Sequence, residues 1–389
     1  MSKAQIEVGN FSEAFQTLHT AYHTHNSTSN LLQNQLSHVQ YIHTQFQLGK
    51  SQYQNGQYAS ASATFGSLLR KTNSAKVILA GARSELKLGL VDQAMRLSLQ
   101  VIRSDTQNAE GYEIRGYGVY LTGEDSECGC KLLREALRLD PDNKEAKLIL
   151  KQCRKVSKYL KEARNAVFHR QFEKAVELFT NALDESDPLP VKTPLYSILH
   201  AERGQAHLRL KNYTTALQDS NNAIYSREDH VVAWLVKVNA YHGLGRHEDA
   251  KQELDDLMQK WGSGNDKIRK ASEHADFLVR RMKRTDFYAL FGVSAIASTM
   301  EIKKQYKVKA LELHPDRFSG SQYTEEDRKK ASEQFKLLGD GLEILCDDFK
   351  RKLYDEGYDP KGIRERVAMA EQAAHRQPGR NYHGHHHGH

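Results

Sequence analysis

A spaced pattern recurring between residues 9 and 257 constrains the fold of this chain more than any other feature. Each copy opens on a turn residue, followed by an aromatic or similar group two positions on and Ala five on. A bulky residue stands nine on, and Ala or an aliphatic twelve on. Gly56, Tyr58, Ala61, Phe65 and Leu68 carry it, as do Gly89, Val91, Ala94 and Val101. Arg170, Phe172, Ala175, Phe179 and Ala182 repeat it, then Lys211, Tyr213, Ala216 and Ala223, and then Gly245, His247, Ala250, Leu254 and Leu257. Regular stretches space the copies by about 34 residues, the length of a helix–turn–helix unit. Seven residues before four of the turns stands a small residue, Gly49, Ala82, Ala163 or Gly204, which lets paired helices approach closely. Val238 breaks this rule in the last copy. A copy from Gly116 to Ala136 needs one extra residue after Gly123, and Gly9, Phe11, Ala14, Leu18 and Ala21 read as half of a truncated first unit.

These units resemble tetratricopeptide repeats, six of them plus the N-terminal fragment. Stacks of such units form a superhelix whose inner surface binds extended peptides or partner domains. A hydrophobic fraction of 39% and a mean hydropathy of −0.69 suit thin layers that bury one face per helix. Loops are expected at His23 to Asn34, rich in Ser, Thr, Asn and His, and at Asp184 to Thr193 with its neighbouring prolines. Asn143 to Leu160 lacks a breaker and reads as a long helix joining two sub-arrays. Ile268 to Arg284 reads as a helix ending in the cations Arg280, Arg281, Lys283 and Arg284. That cluster suits a solvated helix end better than a nucleic-acid surface.

The stretch from Asp286 to Tyr358 has a different plan. Ile302, Tyr306, Ala310 and Leu313 lie on one face of a helix, with Lys303, Lys304 and Lys307 on the other. Pro315 must stop that helix. A second helix, roughly Glu326 to Cys346, carries Phe335, Leu338, Leu342 and Leu345. The two make an antiparallel hairpin with His314-Pro315-Asp316 at its exposed tip. Together with Phe287-Tyr288, Phe291-Gly292-Val293 and the closing Lys350-Arg351-x-x-Tyr354-Asp355, this resembles the J domain of the DnaJ co-chaperones.

The resemblance implies that the basic helix face docks on an acidic patch of a heat-shock protein 70 chaperone. The tripeptide then promotes ATP hydrolysis there. Carried over by position, Lys303, Lys304 and Lys307 would steer and dock, His314, Pro315 and Asp316 would trigger, and Lys350 and Arg351 would add positive charge. Val308 and Glu312 depart from the pattern, standing where many relatives carry Lys or Arg. Repeats followed by a J domain resemble the cytosolic class C J proteins with tetratricopeptide repeats, and the secretory inhibitor of the double-stranded-RNA kinase.

The expected fold is therefore all-α: a repeat superhelix, a linker helix and a C-terminal four-helix J domain. Boundaries are expected at 1–41 for the partial repeat and loop, 42–143 for the first array, and 144–264 for the joining helix and second array. The basic linker takes 265–284, the J domain 285–357, and a helix with a His/Gly-rich tail 358–389. No phosphate loop, nucleophile motif or HExxH is present, so no catalytic residue and no cofactor are expected. Cys128, Cys130, Cys153 and Cys346 lack paired CxxC spacing, so no metal site is expected. The opening MSKAQIEVGN has no secretory segment and no stretch is long and apolar enough for a membrane, which points to the cytoplasm, with the nucleus as the alternative. Expected partners are a heat-shock protein 70 chaperone and client or partner polypeptides in the repeat groove, with no nucleic acid and no membrane. Two rival functions stay open: a scaffold bringing the chaperone to one partner, and a ribosome- or RNA-associated factor. Some tetratricopeptide domains clamp a terminal carboxylate with Lys-x-x-x-Asn, then Asn, then Lys-x-x-x-Arg. Here Lys161 and Asn165 begin such a clamp, but Glu202, Val232 and Val236 stand at its later positions.

Overall fold

The computed structural model describes residues 5–375 except 8, 25–29, 262, 263 and 321. The described residues are helical, without strand. The helices are α1 Phe11–Thr24, α2 Asn30–Gln54, α3 Tyr58–Leu69, α4 Ala75–Lys87, α5 Val91–Ser104, α6 Ala109–Thr122 and α7 Ser126–Leu139. There follow α8 Lys144–Phe168, α9 Phe172–Ser186, α10 Pro194–Arg209, α11 Tyr213–Ser226, α12 Val231–Gly243, α13 His247–Trp261 and α14 Asp266–Lys283. The chain closes with α15 Phe287–Phe291, α16 Thr299–Glu312, a 3-10 turn Pro315–Phe318, α17 Glu325–Leu345, α18 Asp348–Glu356 and α19 Pro360–His375. Two compact units result, Met1–Arg246 and His247–His389. The sequence reading ended the second array at 264, whereas α13 lies with the C-terminal unit.

In the first unit each helix packs chiefly on its neighbours in sequence. The turn residues have a common backbone cause. Gly56, Gly89 and Gly245 take φ of 74°, 79° and 73°, and Arg170 and Lys211 take 59° and 62° at the equivalent positions. A left-handed residue there lets the next amide reach back to the carbonyl five residues earlier, as Gln57 does to Gln52 and Asn212 to His207 at 2.9 Å each. Gly123 is left-handed too, with φ 72°, but the next amide, of Glu124, donates to the Thr122 hydroxyl at 3.4 Å, and Asp125 follows as the N-cap of α7, accepting from the Cys128 amide at 2.9 Å. The cap is the extra residue of that copy. The small residues before the turns are needed for close packing: a Cβ on Gly49 would stand 2.7 Å from the Phe65 ring.

One hydrophobic core runs from Ile78 through Leu133, Cys153 and Phe179 to Ala206 without a gap at α8. Asn143 caps α8, accepting from the Ala146 amide at 2.9 Å, and the helix continues for 25 residues. It is both the joining element and the first helix of the next repeat. An ion cluster ties its start to two earlier repeats. Arg83 reaches Glu110 at 2.8 Å, Glu113 at 2.8 Å and Glu145 at 2.7 Å. Burial pushes the Glu113 carboxyl up, although Arg83 and a 2.6 Å hydrogen bond from Asn143 oppose it. Removing Arg83 would strand the nearly buried Glu113 carboxylate without its cation, which is costly whatever the intact cluster contributes.

The expected loop at His23 to Asn34 is shorter at both described ends. Helix α1 runs to Thr24, and α2 begins at Asn30. Leu32 and Leu36 bring apolar periodicity into a polar stretch and pack beside Ala14, Leu18 and Val39. The expected Asp184 to Thr193 loop likewise starts late, since α9 continues to Ser186. The His/Gly-rich tail after Gln377 lies outside the described residues.

Candidate functional site

In the C-terminal unit, capping fixes where the hairpin helices begin. The Ser298 hydroxyl accepts from the Glu301 amide at 3.3 Å, and the Glu301 carboxylate accepts from the Ser298 amide at 2.7 Å. Thr324 and Asp327 repeat the arrangement at 3.2 and 3.0 Å. Helix α16 buries Ile302 and half-buries Tyr306 and Ala310, and its C-cap Leu313 is half-buried as well. Short α15 sends Phe287 and Phe291 into the same core, against Leu338 of α17. They come so close that a Cβ on Gly341 would meet their rings at 2.9 and 3.0 Å.

Helix α16 ends at Glu312, before the tripeptide. His314 caps the 3-10 turn: its Nδ1 accepts from the Asp316 amide at 3.3 Å and lies 3.4 Å from the Asp316 carboxylate. The His314 ring meets the Phe335 ring edge-on, with centroids 5.6 Å apart, which orients it from below. Asp316 points outward, its side chain 90% exposed. The loop beyond is held by Arg328 of α17, whose guanidinium donates to the carbonyls of Phe318 at 2.9 Å and Gly320 at 3.2 Å. The Ser319 hydroxyl donates to the Asp316 carbonyl at 2.6 Å. The tip is thus exposed but built. Arg328 was missed in the sequence, because a cation in the first turn of a helix has no spacing that foretells which carbonyls it will find.

Lys303, Lys304 and Lys307 are all exposed on α16. Lys304 and Lys307 share their face with exposed Met300, Val308 and Leu311, so the face mixes charge with apolar surface. Glu312 lies 3.8 Å from Lys309. Lys350 pairs with Glu343 at 2.5 Å. Arg351 is committed inside the domain. It donates to the Tyr288 hydroxyl at 3.0 Å and to the carbonyls of Ala295 and Ala297 at 3.0 and 2.7 Å. Tyr288 in turn donates to Asp355 at 2.8 Å, and burial, helped by that carboxylate, pushes its hydroxyl up. The buried Tyr354 hydroxyl accepts from the Phe287 amide and donates to the Thr285 carbonyl, both at 2.9 Å. The closing Lys-Arg-x-x-Tyr-Asp motif is therefore a latch onto the domain's own first segment.

The basic end of α14 is also used locally. Arg280 lies 3.8 Å from both Asp359 and Glu365, Lys283 pairs with Glu248 at 2.5 Å, and Arg284 donates to the Tyr354 carbonyl while stacking over its ring at 4.2 Å. Cys130 and Cys153 meet in the core of the first unit with sulfurs 3.2 Å apart. Among the described residues no cluster of three or more His, Cys, Asp or Glu could hold a metal ion, and no helix is long and apolar enough to cross a membrane.

Of the clamp positions, Lys161 and Asn165 are exposed on α8. Glu202 is gripped by Arg164 through contacts of 2.7 and 2.9 Å, and Val236 is buried.

Comparison with known proteins agrees with this architecture. Residues 286–355 match the DnaJ domain family, and residues 160–230 match a tetratricopeptide repeat family. The chain is similar to DnaJ homolog subfamily C member 7 of Homo sapiens, 29% identical over 279 residues, covering 70% of this chain and 53% of that protein. It is 30% identical over 269 residues to the Schizosaccharomyces pombe homolog of that protein, covering 69% and 54%. DnaJ homolog subfamily C member 3 of Gallus gallus is 27% identical over 244 residues, covering 62% and 46%. The chain thus spans about half the length of these relatives. Among solved structures, the TPR domain of P58(IPK) superposes with a TM-score of 0.50 at 16% identity, over 73% of this chain and 79% of that one, which shows the repeat fold.

Proposed function

The chain is a tetratricopeptide-repeat protein with a J domain, and from that premise we propose that it is a co-chaperone stimulating the ATPase of a heat-shock protein 70 chaperone. His314, Pro315 and Asp316 act as the trigger, and Lys303, Lys304 and Lys307 as the docking face. The observation that carries this is the built, exposed tripeptide turn: Asp316 is free to reach a partner while Arg328 and Phe335 hold the backbone and the His314 ring. A pair of side chains so exposed lacks the dry pocket that acid–base catalysis needs, so contact rather than chemistry is its role. Stimulation is a coupling free energy, which requires the domain to bind the hydrolysis-competent state of the chaperone better than its alternative. Arg351 serves the fold, and Lys350 adds charge at the edge of the surface. The repeats hold client or partner polypeptides. The cytoplasm suits four thiols, two of them buried against one another.

The test is single-turnover ATP hydrolysis by a cognate chaperone with the full chain added. His314→Gln should abolish stimulation with the thermal melt unchanged, since an exposed loop residue contributes little to the core. Stimulation equal to wild type would overturn the assignment. Reversing Lys303, Lys304 and Lys307 to Glu should lower the association rate at low salt, by about tenfold or more, and the deficit should shrink as ionic strength rises. A salt-independent deficit would instead mean an apolar interface through Met300, Val308 and Leu311.

A further inference from the structure

Helix α8 carries a second charged surface that the J domain reading does not use. Lys147, Lys151, Arg154, Lys158, Lys161, Asn165 and Phe168 follow one another at alternating steps of four and three residues. That spacing keeps them on one face of a helix. Every one of them is exposed, and Phe168 is 81% exposed. The five cations extend over about 21 Å at the helical rise of about 1.5 Å per residue. The one ion pair on the stripe is Lys158 with Glu162, at 4.0 Å. The other basic residues of α8 are spent differently: Lys155 pairs with Glu185 at 2.9 Å and Arg164 with Glu202. Along this line Lys158 alone approaches a carboxylate among the described residues, at the long distance of 4.0 Å, whereas the neighbouring Lys155 and Arg164 are neutralised closely.

A groove of about 530 Å³ runs beside the middle of this row. Arg154, Lys158 and Lys161 form one wall, and Tyr120, Glu124 and Leu195 line the other side. Val156 and Leu160 of α8 lie beneath. The groove thus joins the cations of α8, with the Glu202-paired Arg164 at its end, to largely buried apolar side chains beneath and an acidic residue from the turn after α6.

We propose that this groove and stripe bind an acidic polypeptide segment, with its carboxylates along the α8 wall and its apolar side chains on the floor, without requiring a free C-terminal carboxylate. Charge complementarity selects an acidic partner. The one-sided arrangement selects a polypeptide over a nucleic acid. A phosphate backbone alongside would face Glu124 across the groove and find no second cationic wall, whereas a peptide can turn charged and apolar groups to opposite sides. Phe168 extends the apolar contact beyond the last cation. The inference rests on the reading that the repeats hold partner polypeptides, and it gives that partner its chemistry.

Binding of a fluorescein-labelled short peptide alternating Glu with Ala and Leu, amidated at its C-terminus, to the full chain tests this. The affinity should fall about tenfold or more as salt rises from about 0.05 to about 0.5 M, because the contacts are exposed charges. Lys151→Glu, Arg154→Glu and Lys158→Glu together should weaken it by about tenfold or more at low salt, mostly through association. The corresponding Gln variant, which adds no repulsion, should weaken it less. Reversing Arg96 and Arg103, exposed cations on α5 outside the groove, should leave the affinity unchanged. Loss of binding in the α5 variant, or none in the α8 variants, would overturn the site. So would tighter binding of an oligouridylate that displaces the peptide, or binding only by a peptide with a free terminal carboxylate. Chaperone ATPase stimulation by the same wild-type protein is read in parallel. Stimulation without peptide binding would sink this inference alone, and absent stimulation would sink the co-chaperone reading whatever the peptide does.

Discussion

At the scale of single residues, the C-terminal unit separates exposed groups that can meet a partner from similar groups that hold the domain together. Lys350 and Arg351 are adjacent in sequence and carry the same charge, yet Lys350 makes one surface ion pair while Arg351 makes three hydrogen bonds, two of them to main-chain carbonyls. Arg351→Ala should therefore destabilise the domain by about 1–3 kcal/mol, the range for removing a charged donor from partly buried acceptors. Lys350→Ala should cost no more than about 1 kcal/mol, as for an exposed pair. Amide exchange across residues 287–297 reports on both. Protection in Arg351→Ala matching the wild type would show the three contacts to be idle. Charge and position alone made both residues look like docking groups. The partners of Arg351 come from a segment more than fifty residues earlier, and only the folded arrangement brings them within reach.

At the scale of elements, the repeats were legible because their signals are local. Turn residues, small residues before them and the spacing of apolar groups all act within one or two helices. The physical cost of the non-glycine turns is local too. Arg170 and Lys211 hold φ near +60° without the freedom glycine would have. Replacing either with Gly should raise stability by about 1 kcal/mol in denaturant unfolding of the full chain, by relieving backbone strain. A loss of stability would mean that their side chains contribute contacts worth more than the strain. Composition misleads where periodicity does not. Asn, Ser and Thr around residues 23–34 suggested a loop, while Leu32 and Leu36 were already packing on Leu18 and Val39. The Arg83 cluster joins three repeats through residues far apart in sequence, and no repeat template contains it.

At the scale of the whole molecule, the repeats and the J domain carry separate surfaces, and the repeats do not copy the carboxylate clamp that Lys161 and Asn165 begin. Glu202 is held in place by Arg164, and the later clamp positions are valines, one of them buried. A buried carboxylate needs several donors at fixed positions. A peptide ending in Glu-Glu-Val-Asp should thus bind no more tightly with a free C-terminus than with an amidated one. Low-micromolar binding that depends on the free carboxylate would overturn this. Helix α8 has a consequence for how the array can be divided. Units that touch only their neighbours can ordinarily fold and fray in stretches, repeat by repeat. Here one 25-residue helix is the last layer of one stretch and the first of the next, and the same core passes beneath both. A cut within α8 would bare that core on both sides, so the two stretches should melt together as one cooperative block rather than one after the other.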